Sequence, residues 1–252
     1  MRVLITGAAG KVGRAVRREL CAAGHTLRLM DIKPIDAPEG ETVALDVAEG
    51  EAVRRAVRGM EAVVHLAYGS DRNDGSGADI CLNYDVNAKG TYFLLWAAKE
   101  AGVRRLVYTS TLTVFGGTTF LARRGYDENT PPAPVNPYGL TKLMGEEVCR
   151  FFARRHGMSI VCLRLCGVKT DAEWADRQTW KPQPDWTKEF GVHRAMTTHV
   201  DDVARAIHLA LTAPNIGFEL LHIAADNTGR VTEIARAKEV LGFWPAHRLD
   251  DR

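Results

Sequence analysis

The sequence predicts an α/β fold, a doubly wound parallel sheet covered by helices on both faces, and three observations carry that prediction. Short apolar runs alternate with amphipathic stretches along most of the chain, a turn holding three glycines follows the first apolar run, and small, hydroxyl or acidic residues gather behind successive runs. In such a sheet ligands bind beyond the carboxyl ends of the strands, so those positions are where chemistry belongs.

The first strand is Val3-Leu-Ile5. Apolar residues at helical spacing over 11–23 predict a helix, 27–30 a second strand, 43–45 a third and 51–57 a second helix. Ala62-Val-Val-His-Leu66 lacks the alternation of a half-exposed strand and predicts one buried on both faces. A long helix follows over 79–101, then a strand at Leu106-Val-Tyr108, a helix over 138–155 and a strand at Ile160-Val-Cys-Leu-Arg164. From 169 to 198 the rhythm stops: three tryptophans, two prolines and many charges predict a loop-rich segment over a pocket. A helix over 201–211, a strand over 218–224, a helix over 231–241 and a polar tail complete the chain. Without linker or repeat, 1–252 reads as one domain, with a ligand-binding core over 1–166 and a small cap and tail over 167–198 and 225–252.

Thirty-three basic residues against thirty-one acidic ones leave a net charge of +2, and the basic residues are dispersed. Neither a nucleic-acid nor a membrane partner is called for. Five cysteines, an odd number without a Cys-x-x-Cys pair, predict reduced, buried thiols in a reducing compartment. With the first strand starting at once and no run near eighteen apolar residues, a cytoplasmic protein is expected.

Gly7-Ala-Ala-Gly10-Lys-Val-Gly13 stands between a strand and a helix, the context of a dinucleotide-binding turn. Its glycines admit a pyrophosphate close to a helix amino terminus, where unpaired N–H groups and the dipole favour negative charge. Asp31 ends the second strand, where a carboxylate accepts hydrogen bonds from the adenosine ribose; that favours NAD over NADP, although Lys33 and Arg28 stand nearby for a 2'-phosphate. Asp46-Val47 suits either the adenine edge or a helix N-cap ahead of 49–57. Ala67-Tyr-Gly-Ser70 and Thr109-Ser110-Thr111 close the fourth and fifth strands and reach the same edge. Tyr138 and Lys142, four apart on a helix, share a face, so the ammonium can lie beside the phenol and favour its ionised form. A free phenol titrates near pH ~10; lowering that value suits it to proton exchange with a hydroxyl at neutral pH.

With the glycine turn, Asp31, Asn87 in Val86-Asn-Ala-Lys-Gly90, Thr111 in Ser110-Thr-Leu-Thr-Val-Phe-Gly116, Tyr138-x-x-x-Lys142 and His199-Val-Asp-Asp202 in order, the chain resembles the extended short-chain dehydrogenase/reductase family over nearly its whole length. The resemblance implies a Rossmann-like sheet with a small C-terminal substrate-capping region. It implies that Thr111 orients the reacting hydroxyl, Tyr138 is the acid/base, and Lys142 holds the nicotinamide ribose. The cofactor would be held by Gly7, Ala9, Gly10, Lys11, Val12, Gly13, Asp31, Ile32, Asp46, Val47, Leu66, Ala67, Tyr68, Asn87, Thr109, Leu165 and the Tyr138–Lys142 pair. The substrate would meet Ser70, Thr111, Leu112, Thr113, Tyr138, Cys166, Gly167 and Arg177, with no metal ligand.

In length, and in its close at Leu241-Gly-Phe-Trp-Pro245, the chain is most similar to the uronate dehydrogenase type. Those enzymes oxidise the anomeric hydroxyl of a hexuronic acid to an aldarolactone with NAD, and an arginine holds the carboxylate; Arg177 stands about one residue from the equivalent place, and Arg194 is the other arginine open to that role. This chain departs from them with Leu112 and Thr113 for an asparagine and a histidine, and Gly167 for a serine. Alternatives are a nucleotide-sugar epimerase or dehydratase with retained NAD, which the short end disfavours, and a silent dinucleotide-sensing protein, which the intact tyrosine and lysine disfavour. Homodimerisation through the helices over 79–101 and 138–155 is the family habit. Apolar residues on more than one face, including Phe93, Leu94, Leu95, Trp96, Leu143, Met144, Val148, Phe151 and Phe152, fit it.

Overall fold

The computed structural model describes residues 1–70, 76–116, 127–176, 197–225 and 232–248. In chain order its strands are β1 (Arg2–Thr6), β2 (Thr26–Asp31), β3 (Gly40–Ala44), β4 (Ala62–His65), β5 (Arg105–Thr111), β6 (Ser159–Leu165), β7 (Val168–Lys169), β8 (Thr198–His199) and β9 (Phe218–Ile223). A seven-stranded sheet runs β3-β2-β1-β4-β5-β6-β9 with every neighbour parallel, and β7 pairs with β8 apart from it. The helices are α1 (Lys11–Ala22), α2 (Gly50–Val57), α3 (Gly77–Asn83), α4 (Thr91–Glu100), α5 (Pro137–His156), α6 (Asp171–Ala175), α7 (Val200–Thr212) and α8 (Ala235–Leu241).

Successive strand residues point to opposite faces, and here both faces are dry. Val3, Ile5, Leu27, Leu29, Val64 and Val107 pack under α1 and α7, against Val16, Leu20, Val203 and Ile207. The intervening Leu4, Met30, Val63, Leu106 and Tyr108 pack under α2, α4 and α5, against Val53, Leu94, Leu95 and Phe152. That double burial is why the strands read as unbroken apolar runs.

Several expected boundaries move. The helix expected over 79–101 begins at Gly77, where the Ser76 hydroxyl accepts from Asp79 N at 3.1 Å, and it is interrupted by a π-helical turn, Tyr84–Gly90, between α3 and α4. A π-helical turn, closed by i→i+5 bonds, is rare and has no residue signature of its own, so a periodic apolar stretch does not betray it. The last helix begins at Ala235 rather than 231. The loop expected from 169 onward opens instead on α6, nucleated by a capping box in which Thr170 N donates to Glu173 Oε2 at 2.8 Å and Glu173 N to Thr170 Oγ1 at 3.4 Å. The remainder of that segment, 177–196, with Trp180, Trp186 and Arg194, lies outside the described residues.

Cys149, Cys162 and Cys166 are buried, but Cys21 and Cys81 are exposed, contrary to expectation. Cys21 follows the core-facing Leu20 by one position, roughly 100° round the helix, which turns it outward. Leu94, Leu95 and Phe152, read as surplus apolar surface, are spent on the protein's own core. Among the described residues no helix is long and apolar enough to cross a membrane.

Candidate active site

Strand order reverses at β1, which has β2 on one side and β4 on the other, and the reversal leaves a crevice past the strand ends. A cavity of about 690 Å³ occupies it. At its floor Gly7 has φ +70°, and a Cβ there would stand 2.6 Å from Ala67 N; a Cβ on Gly13 would stand 2.5 Å from Gly7 O. The glycines therefore let the turn lie against β4's exit and let α1 close onto the turn. Gly10 caps α1 without a side-chain hydrogen bond, and no acid occupies the first turn. The free N–H groups and dipole of α1 thus face a cavity lined by Gly7, Ala9, Gly10, Lys11, Val12 and Gly13, a cradle that fits a pyrophosphate.

Asp31 borders the same cavity with Ile32. Its Oδ2 accepts from Ala9 N at 2.9 Å and its Oδ1 from Lys33 N at 3.0 Å, so the carboxylate also braces the glycine turn. Arg28, a candidate for a 2'-phosphate, turns away: its Nε donates to Glu41 at 2.7 Å and its Nη1 to Ala56 O and Arg58 O at 2.8 Å. Asp46 and Val47 line the cavity, and Glu49, not Asp46, caps α2. The Asp46 carboxylate accepts from Ala48 N at 2.8 Å. Leu66, Ala67, Tyr68, Thr109 and Leu165 complete the predicted cofactor wall.

Asn87 is fully buried and stands behind that wall. Its Oδ1 accepts from Gly69 N at 3.1 Å, and its Nδ2 donates to Asn83 Oδ1 and Thr141 Oγ1, both at 3.0 Å. It ties the loop after β4 to α5. Ser70, whose N donates to Asn83 Oδ1 at 3.2 Å, and Leu112, packed with Val114, Phe115 and Ile234, are likewise set back from the cavity. Arg177 lies outside the described residues.

The opposite end of the cavity is built by the end of β5 and the first turns of α5. Asn136 caps α5, its Oδ1 accepting from Gly139 N at 2.7 Å, and Pro137 pre-sets the first helical φ. Tyr138 consequently sits in the first turn of a 20-residue helix, where the dipole favours an anion. Lys142 follows on the same face, and its Nζ donates to Thr109 O at 2.6 Å and lies 4.7 Å from the Tyr108 ring centre. Burial brings its pKa down to about 8. Tyr108, by contrast, is pushed well above the ordinary phenol value by burial and stays protonated behind the wall. Thr111, Thr113, Cys166 and Gly167 line this end with Tyr138 and Lys142. Thr111 Oγ1 meets Thr113 Oγ1 at 2.8 Å and accepts from Thr113 N at 3.1 Å, which leaves one of its three hydrogen-bonding positions for another group.

His65 is not part of this chemistry. Burial first, and then the charge of Lys142, bring its pKa to about 3, so it is neutral, held between Thr6 Oγ1 at 2.7 Å and Thr91 Oγ1 at 3.0 Å. Thr91 donates to Asn87 O at 2.7 Å, so its oxygen accepts from His65 Nε2–H, and Nδ1 accepts from Thr6.

Sequence reasoning missed some of the wall. Thr6, Met30, Leu45 and Val168 line the cavity and end or adjoin strands, a signal that stricter use of the strand-end rule would have caught. Leu82 and Val86 reach it from the π-interrupted helix and gave no sign. Nor did the pairing of Lys11 with Glu173, both carboxylate oxygens 2.8 Å from Nζ, which ties α6 to the first turn of α1. The Lys11 hydrogen bond, followed by the Thr170 N–H, holds the Glu173 pKa down at about 2.

The chain is 28% identical over 232 residues to a uronate dehydrogenase of Pseudomonas syringae pv. tomato, covering 90% of this chain and 75% of that protein. It is 32% identical over 233 residues to an L-arabinose 1-dehydrogenase (NAD(P)(+)) of Haloferax volcanii, covering 82% of this chain and 87% of that one. A short-chain dehydrogenase/reductase superfamily protein from Agrobacterium tumefaciens, solved with bound NAD, superposes with a TM-score of 0.82 at 28% identity over 98% of this chain and 93% of its own. The NAD dependent epimerase/dehydratase family matches residues 3–170, from β1 through β7 and across every strand end that builds the cavity, and the chain belongs to that family.

Proposed function

We propose that the protein is an NAD-dependent dehydrogenase that moves a hydride from a hydroxyl-bearing carbon of a small sugar or sugar acid to the cofactor, uronates first among the substrates. The observation that carries this reading is the meeting of Tyr138, Lys142 and Thr111 at one end of a cavity whose other end is the glycine turn and Asp31. The named activities of the two relatives, a uronate dehydrogenase and an L-arabinose 1-dehydrogenase, support the substrate class.

Bound NAD supplies the hydride acceptor. The turn from Gly7 to Gly13 holds its pyrophosphate, Asp31 its adenosine ribose, and Lys142 the ribose at the reacting end. Thr111 offers its remaining hydrogen-bonding position to the substrate hydroxyl, and Tyr138 takes that hydroxyl's proton as the C–H bond gives up its electron pair. The α5 amino terminus and the Lys142 charge both favour the phenolate that accepts it. Residues 167–198 and 225–252 are assigned to the substrate-side cap. Arg177 is proposed to hold the substrate carboxylate.

A homodimer is also proposed. Tyr92, Met144 and Phe151 are exposed, and with Leu140, Leu143 and Val148 they line an apolar groove of about 500 Å³ along α4 and α5. Free cysteines throughout support a reducing, cytoplasmic setting.

The test is to incubate the protein with NAD and a panel of hexuronates and aldoses and follow NADH absorbance. Turnover on a uronate is the expected result; silence on every hexuronate removes the uronate proposal, and product without net NADH replaces oxidation by epimerisation or dehydration. Tyr138→Phe should lower turnover at least about 100-fold while leaving NAD affinity unchanged. Surviving turnover would remove Tyr138 from the acid/base role.

A further inference from the structure

One turn beyond Lys142 on the same face of α5 stands Glu146, 1% exposed. Its carboxylate accepts from three donors: Ser110 Oγ at 2.6 Å, and Arg164 Nε and Nη2 at 2.8 Å each, one to either oxygen. Arg164, 2% exposed on β6, stacks 4.8 Å from the Phe115 ring centre, and its Nη1 is buried without a hydrogen-bond partner among the described residues. Neither Glu146 nor Arg164 lines the cavity.

A buried ion pair with one nitrogen unsatisfied is poor value as a stabiliser, since removing two ions from water offsets their attraction. Its place in the fold suggests another use. Thr109 holds Lys142 through its carbonyl, and the next residue, Ser110, holds Glu146 through its hydroxyl. The end of β5 therefore grips α5 at two points one turn apart, and β6 grips the second point from its far side through Arg164. Gly145 permits the approach, because a Cβ there would lie 2.1 Å from the Tyr108 hydroxyl.

We infer that Glu146, clamped by Ser110 and Arg164, is a positioning residue: it fixes the height of α5 on the sheet and keeps the buried Lys142 ammonium charged beside Tyr138. This rests on the dehydrogenase reading above, in which that charge is used. Burial lowers the Lys142 pKa, and the acidic neighbours Cys149, Glu146 and Cys162 act in the opposite direction. Among the described residues, the charged and titratable groups around the ammonium are Tyr138, Glu146 and Cys149 on α5, Tyr108 on β5, Cys162 on β6 and His65 on β4, with Arg164 on β6 reaching Glu146 from behind. Among them Glu146 is the only carboxylate, and His65 is neutral.

The experiment titrates Lys142 directly, by NMR of protein carrying 13C-labelled lysine side chains with NAD present, the resonance assigned by its loss in Lys142→Arg. The wild-type midpoint should lie near the folded value of about 8, and Glu146→Gln should lower it by about one pH unit. Loss of the carboxylate and exposure of Lys142 to an unpaired Arg164 act in the same direction. Glu146→Asp, which keeps the charge, should hold the midpoint near wild type even if it melts earlier. If Glu146→Gln does not fold, Glu146→Gln/Arg164→Met removes the stranded cation and should show a smaller shift of the same sign. The alkaline limb of kcat against pH should follow the midpoint. An unmoved midpoint in a folded glutamine variant overturns the inference, whereas a shifted midpoint in a protein without turnover would overturn only the dehydrogenase reading.

Discussion

Replacing Gly13 by alanine sets two effects of opposite sign against each other. In a helix interior Gly→Ala stabilises by about 0.8–1 kcal/mol through propensity. Here, however, the new methyl would stand 2.5 Å from Gly7 O, 2.6 Å from Ala8 O and 2.7 Å from Ala8 C, against an ordinary contact of 3.4 Å or more. All three neighbours are backbone, so no side chain can rotate away, and α1 must lift from the turn by most of an ångström. Overpacking of that kind costs about 1–3 kcal/mol, and contact with rigid backbone places it at the upper end. The net loss is about 1–2 kcal/mol, a fall in Tm of about 2–8 °C for a chain of this size. Lifting α1 also pulls its N–H groups from the pyrophosphate position, so NAD affinity should fall about tenfold or more. Thermal melts and a fluorescence titration with NAD measure the two effects. Gly50→Ala is the control: its nearest neighbour is the Phe93 ring at 3.8 Å, so propensity alone acts and the variant should be as stable as wild type or more so. A Gly13→Ala protein with unchanged Tm and unchanged NAD affinity would refute the close-approach argument.

Lys142→Met should be more stable than wild type at pH 7, with an advantage that shrinks as pH rises. The folded-state pKa of about 8 lies below the unfolded 10.5, so between those values the folded protein holds fewer protons than the unfolded chain and wild-type stability climbs with pH, by up to ~3 kcal/mol. Urea unfolding of both proteins at pH 7 and 9.5 tests it; a constant difference contradicts it. Glu173→Gln weakens a half-exposed ion pair and should cost less than about 1 kcal/mol in stability, yet it should speed NAD release, seen by stopped flow, because α6 is no longer fastened to the glycine turn. Met144→Lys should yield monomers in sedimentation velocity without loss of helicity, whereas a variant that sediments like wild type argues against an α4–α5 interface.

Much of the fold was legible because the central strands β1, β4, β5 and β6 are buried on both faces, which makes an apolar run of Leu4 and Ile5 type unmistakable, and because the glycine turn must follow the first of them. The lining at the glycine-turn end of the cavity was legible for the same reason, since the strand-end rule converts position in sequence into position in space. Asn87 stands behind the cavity lining because a motif position carries no direction: at the π-helical turn Tyr84–Gly90 its amide bonds to Gly69 and Thr141. The capping box at Thr170 and Glu173 was present in the sequence and went unread because no apolar period followed it.

From its own residues the chain determines a parallel sheet, a glycine turn between the first strand and helix, and a helix that carries Tyr138 and Lys142 on one face, because these are local or periodic properties. Tertiary structure alone decided who neutralises whom. Lys11 finds Glu173, Arg164 finds Glu146, and Lys142 loses water and takes Thr109 O in its place. Charge strength depends on solvent exclusion and on partners distant in sequence, and neither is written in spacing.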